Sequence, residues 1–188
     1  YPESFVLAGD QWELTQLVFE RSVQLVNNGP MIRVQGGSNH RIGNNRMVDL
    51  SAMPYPGNTA VVWRGGDSLH IDSNHFSGWG RVLWADSLGN SSGLIFTANT
   101  ITDYRAQGLF LQGVLEAEIS FNWLKDASFM YGGSTGFHLS ECESVQMYGN
   151  RLTGRLPSTA IGLIAPRGTQ LAPHRIYNNE IAGYTLQE

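Results

Sequence analysis

Along the chain an apolar residue is followed three positions later by Asn, and two positions after that by a second apolar residue. The triplet recurs as Ile42/Asn45/Met47, Ile71/Asn74/Phe76, Phe96/Asn99/Ile101, Ile119/Asn122/Leu124, Met147/Asn150/Leu152 and Ile176/Asn179/Ile181. The Asn-to-Asn steps are 29, 25, 23, 28 and 29 residues. A recurring period of this size is the mark of a solenoid. An earlier copy carries Leu17 in the Asn position, with Trp12, Leu14 and Phe19 around it.

Ahead of each triplet lies a second cluster with apolar residues at alternate positions: Ile32/Val34, Val61/Trp63, Val82/Trp84, Leu109/Leu111, Phe137/Leu139 and Ile161/Leu163. Alternation with a period of two turns one face inward and one outward. Each repeat therefore reads as strand, short turn, strand, Asn corner, short strand and variable loop. Asn suits a corner because it tolerates left-handed backbone. Stacked at equivalent places, its amides can hydrogen-bond from coil to coil. The alternation predicts Trp63 stacked over Trp84 in the core. It also predicts two outward columns: Arg33, Val62, Leu83, Phe110, His138, Gly162, and Gln35, Arg64, Ala85, Gln112, Ser140, Ile164. Asp86 and Glu141 fall together in the next column. At the spacing of stacked strands they would stand about 9–10 Å apart.

Composition narrows the classes. With 188 residues the chain can hold one cored domain, residues 1–188. Only 15% of residues are charged and 22 are Gly, which suits short strands and frequent corners. A net charge of −4 does not point to nucleic acid or an anionic membrane. No apolar run is long enough for a membrane span. The single cysteine, Cys142, excludes an internal disulfide framework. The cations are eleven Arg and one Lys, Lys125. Arg reads planar carboxylates, sulfates and phosphates through paired hydrogen bonds. The chain opens at Tyr1 with a coil almost at once, so it is expected to be part of a longer chain. Flanking coils, or sister chains in a homotrimer, would cover its ends.

The repeat resembles the pectate lyase-like right-handed parallel β-helix superfamily. Residues 10–19 (DQWELTQLVF) and 32–47 (IRVQGGSNHRIGNNRM) look like the entry coils of the chondroitinase B and alginate lyase type. Leucine-rich repeats share part of the signature, but they keep a steadier length and are dominated by Leu. The resemblance implies an all-β, single-stranded right-handed parallel β-helix of about seven coils with an Asn ladder. It implies acidic-polysaccharide lyases, epimerases, glycoside hydrolases or phage tailspikes, and fold alone does not choose among them. The paired Asp, Gly-His-Gly and Arg-x-Lys motifs of polygalacturonases are absent, as is the Asp-Pro-His-Asp motif of mannuronan epimerases.

The expected function is that of an extracellular polysaccharide-active protein, secreted or on a virion surface. A lyase acting by β-elimination is placed ahead of a glycoside hydrolase. A non-catalytic structural or carbohydrate-binding segment is the reading from another class. A lyase needs a neutralised carboxylate and a base. Arg64, Arg105 or Arg155 could neutralise, and His138 or Tyr104 could take the proton. A hydrolase would use Asp86 and Glu141. The aromatics Tyr55, Trp79, Tyr104 and Tyr131, with Arg33 and Arg155, are expected to hold sugar rings and their acid groups. No cofactor is expected. Glu116, Glu118, Glu141 and Glu143 form the one strip that could take Ca²⁺. His40 and His174 fall in inward positions rather than in ligand spacing. The apolar outward run Val62, Leu83, Phe110 is expected to be covered.

Overall fold

The computed structural model describes residues 5–21, 29–51, 58–127, 134–155, 157–164 and 173–184, the side chains of 87–90 and 184 excepted. These residues form a twelve-stranded sheet and a seven-stranded sheet, with every strand pairing parallel. The chain winds as a parallel β-solenoid with three faces. The first face stacks Phe5–Ala8, Ile32–Gln35, Thr59–Arg64, the start of Arg81–Thr97, the start of Gln107–Ser120, Thr135–Ser140 and Thr159–Ile164. The second stacks Glu13–Thr15, Ser38–Gly43, Gly66–Asp72, the far halves of the two long strands, Glu143–Tyr148 and Arg175–Tyr177. The third is the seven-stranded sheet, from Val18–Arg21 to Glu180–Tyr184.

The triplet positions build the core. Ile42, Ile71, Phe96, Ile119 and Met147 enter each corner, and Met47, Phe76, Ile101, Leu124 and Leu152 leave it, all buried. Phe76 and Phe96 stack with centroids 6.5 Å apart. Between them Asn45, Asn74, Asn99, Asn122 and Asn150 are also buried, and each is paired with its neighbours. Asn99 is representative. Its Nδ2 lies 2.9 Å from Ile71 O, 3.0 Å from Thr97 O and 3.1 Å from Asn122 Oδ1. Its Oδ1 accepts from the N–H and Nδ2 of Asn74 at 2.9 and 3.0 Å. In a buried amide so satisfied the hydrogen bonds offset the cost of desolvation, which is why the position admits Asn.

Three features differ from the sequence expectation. First, the left-handed residue at each corner is not the Asn but the one before it: Gln16, Asn44, Ser73, Ala98, Phe121, Gly149 and Asn178 all have positive φ. The ladder Asn residues are not among those with positive φ, and Asn45, Asn74, Asn99, Asn122 and Asn150 are buried. Second, the expected seven coils resolve into five enclosed coils, those of the five buried Asn, between two end coils. The end coils have a neighbour on one side only. Phe5, Val6, Trp12 and Val18 at one end, and Leu163, Ile164, Ile176 and Ile181 at the other, are therefore exposed.

Third, the strand beginning at Arg81 sits one residue away from its expected register. Leu83 pairs with Val61, Trp84 with Val62, and Ala85 with Trp63. Leu83 and Ala85 are inward and fully buried, whereas Trp84 is outward and half-buried. Trp63 therefore stacks on Ala85, not on Trp84. A one-residue slip exchanges the faces of a strand, and the run Val82-Leu83-Trp84 is apolar in either register.

Candidate functional site on the first face

The corrected register keeps the first outward column expected from the sequence but puts Trp84 in the place of Leu83. On the outside of the first face Arg33, Val62, Trp84, Phe110, His138 and Gly162 follow one another in ladder register. Val62 is buried, while Trp84, Phe110 and His138 are half-buried. Phe110 and His138 stack with ring centroids 4.7 Å apart and planes 18° apart. The next member on the other side of His138 is Gly162, which has no side chain; a Cβ there would stand 3.6 Å from Thr159 Cγ2, 3.8 Å from Thr135 Cγ2 and 4.0 Å from His138 Nδ1.

Arg81 completes the group. Its guanidinium carbon lies 5.2 Å from the Trp84 ring centre and 6.0 Å from that of Phe110. Its Nε donates to Gln107 Oε1. Burial draws the Arg81 pKa below its ordinary value, and among the described residues no carboxylate opposes the shift. Arg33 is half-buried in the same column, and its Nε has no hydrogen-bond partner among the described residues. Burial, and then the positive charge of Arg81, hold the His138 pKa below its usual value. The imidazole is thus kept neutral beside a desolvated cation.

The remaining sequence candidates lie around this column in several settings. Arg64 is exposed and pairs with Gln35. Asp86 is half-buried and pairs with Gln112, which in turn pairs with Ser140. Glu141 is the residue after Ser140, so Asp86 and Glu141 do not share a column, again because of the register shift. Arg105 lies between Thr100–Thr102 and Gln107–Ser120, its N–H donating to Trp79 O at 3.0 Å. Arg155 ends a strand of the third face, where its N–H donates to Asp126 Oδ1 at 3.0 Å.

Two of the loop aromatics are core residues. Trp79 is fully buried, donates from Nε1 to Met47 O at 3.0 Å, and carries the Arg21 guanidinium 4.9 Å over its ring. Tyr104 is 1% exposed, and burial pushes its phenol pKa upward. Neither ring is presented to a sugar, and Tyr104 has no access for taking a proton. Short connections fold their aromatics back over the open side of the coil, where burial is worth more than exposure. Tyr55 and Tyr131 lie outside the described residues. Of the acidic strip, Glu118 accepts from Tyr148 and Ser120, and among the described residues no three His, Cys, Asp or Glu gather as metal ligands. His40 is inward and buried, as its position implied.

Arg81 and Gln107 were not singled out in the sequence, and Trp84 was read there as a core residue rather than an outward one. The available signal was the pair Arg81/Trp84: an Arg three residues before an aromatic in a strand whose register was ambiguous.

A parallel solenoid with an internal Asn ladder and a polar–aromatic outer face defines the class of protein. The family model described as right handed beta helix region matches residues 6–152, and the chain belongs to that family. No curated protein and no solved structure matches the chain significantly.

Proposed function

We propose that the first face binds an acidic polysaccharide and cleaves it by β-elimination. The observation that carries this reading is Arg81: a half-buried guanidinium over two aromatic rings, with no carboxylate among the described residues to neutralise it. Such a group favours a planar anion, and Trp84 and Phe110 supply apolar surface for the sugar ring that bears it. Arg81 would neutralise the carboxylate at C5, which acidifies the C5 proton. Neutral His138 would take that proton on the in-plane lone pair of its unprotonated ring nitrogen. The C5–H electrons become the C4–C5 double bond, the C4–O4 bond breaks, and the departing oxygen is protonated from the imidazolium or water. A hydrolase is less well supported, because Asp86 and Glu141 do not face one another along one column.

A binding-only reading is favoured by one observation, the face-on stack of Phe110 over His138. A secreted or virion-surface location belongs to the proposal and follows from the substrate. So does a covering of the two exposed end coils by flanking coils or sister chains. Among the described residues no helix is long and apolar enough to cross a membrane.

The test is incubation with alginate, pectate and chondroitin sulfate, following ultraviolet absorbance of the unsaturated product and reducing ends together. Unsaturated product that disappears in Arg81→Ala and His138→Ala is the expected result. Reducing ends without absorbance would replace the lyase with a hydrolase. Binding without either signal would leave the face as a binding surface.

A further inference from the structure

Outside the two end coils, the strongly exposed large apolar side chains among the described residues are Leu50, Phe121 and Trp123. Phe121 and Trp123 flank the buried Asn122 at one corner, on the side of the solenoid that runs from the second face to the third. Both are held rather than loose. Phe121 lies over the backbone of the next coil at Gly149, where a Cβ would come within 2.7 Å of its ring. Its ring also meets that of Tyr148 edge-on, with centroids 5.3 Å apart. Trp123 donates from Nε1 to Thr153 Oγ1 at 2.7 Å. An exposed ring fixed by its neighbours offers contact area at little cost in conformational entropy.

Tyr148 joins this corner to a groove. Its hydroxyl donates to Glu118 Oε1 at 2.6 Å, and Ser120 Oγ donates to the same oxygen at 2.9 Å. Glu118 lines a groove of about 460 Å³ on the second face, with Ser68, Ile95, Glu116, Ser144 and Gln146. The groove carries hydroxyl, carboxylate and amide groups over a part-apolar floor and is lined by no Lys, Arg or His. The nearest cationic positions in its floor column are His70 and Arg175, one coil beyond Ile95 and Gln146 respectively.

We infer that this corner and groove form a second carbohydrate site, for a neutral glycan. Phe121 provides an open ring for the apolar face of a pyranose. Glu118, Gln146, Ser68 and Ser144 provide acceptors and donors for its hydroxyls. Lys125 Nζ lies 5.9 Å from the Trp123 ring centre at the corner, but the groove itself is lined by two carboxylates and no cation, so it repels a polyanion and is opposite in charge preference to the first face. The two faces would let one molecule engage a neutral and an acidic chain at once.

The probe is affinity electrophoresis of the intact chain in gels containing β-glucan, galactomannan or xylan, with pectate in parallel. Retardation by at least one neutral glycan is expected. Phe121→Ala and Glu118→Gln should each weaken it at least about fivefold, roughly 1 kcal/mol, with the β-type circular dichroism spectrum unchanged. Phe121→Ala should leave retardation by pectate at the wild-type value. Absence of neutral-glycan retardation, retardation indifferent to both variants, or pectate binding lost in Phe121→Ala would each overturn the inference. So would self-association through this corner, seen as a sedimentation shift abolished in Phe121→Ala. The neutral-glycan result stands or falls independently of first-face activity.

Discussion

The backbone N–H of Leu17 donates to Asn45 Oδ1 at 2.9 Å, as each ladder Asn donates to the Asn of the following coil. The ladder thus has a direction. Each Oδ1 accepts from the coil before it, and each Nδ2 from Asn45 to Asn150 reaches a backbone carbonyl of that coil and the Oδ1 of the coil after it. Leu17 can supply the N–H but no amide, so the ladder starts there. Asn122 is interior to it: Nδ2 bonds Phe96 O at 2.8 Å and Asn150 Oδ1 at 2.9 Å, and Oδ1 serves Asn99. Asn122→Ala leaves several buried polar groups without partners, at about 1–3 kcal/mol each. We expect a loss of at least about 3 kcal/mol in urea unfolding. Leu17→Ala, at the exposed end, should cost less than half as much.

Arg41 clamps Asp72 through Nε and Nη2, both at 2.9 Å, and reaches Glu13 through Nη1 at 2.6 Å. The clamp ties the first three coils together on the second face. The Arg41 hydrogen bond holds the Asp72 carboxyl below its usual range. A depressed carboxylate pKa contributes stability that is present above the unfolded value, near about 4, and is lost as pH falls through the folded value. Melting temperature should therefore drop with acidification below about pH 4. Asp72→Asn should lower it at neutral pH and flatten that acid limb, and an unchanged limb would remove Asp72 as its source.

The periodic Asn and its apolar neighbours made the solenoid legible, because a buried amide that must be satisfied leaves little choice of residue. The left-handed corner was not legible. It is occupied by Gln, Asn, Ser, Ala, Phe or Gly, since the turn constrains the backbone and leaves the side chain free. The site was half legible. His138, Phe110 and Arg33 stand where alternation put them. Trp84 was assigned inward because Val82-Leu83-Trp84 offers an apolar set to either face, and only pairing with Val61 and Trp63 decides between them. Trp79 and Tyr104 were misread as sugar platforms, because a loop position does not reveal that its side chain turns back into the core.

Gly149 has φ +64°, and a Cβ there would meet the Phe121 ring. Gly149→Ala combines left-handed strain with a clash that the exposed ring can relieve by swinging away. A cost of about 1–2 kcal/mol in unfolding free energy is expected. Neutral-glycan retardation should fall along with it, because the ring leaves its seat. Gly149→Ala with undiminished retardation would separate Phe121 from that site.

His138 supplies the last test. Burial and Arg81 lower its pKa, so the neutral form that can accept a proton persists to lower pH than in a free imidazole. For elimination at the first face, kcat/KM should rise with pH along a limb whose midpoint lies below about 6.5, the ordinary histidine value. Removing the nearby charge in Arg81→Gln should move that midpoint upward while reducing the rate. Arg81→Lys keeps a charge but not the planar group that lies over Trp84 and Phe110, so it should restore the low midpoint better than the rate. A limb that does not move in Arg81→Gln would assign the titration to another group.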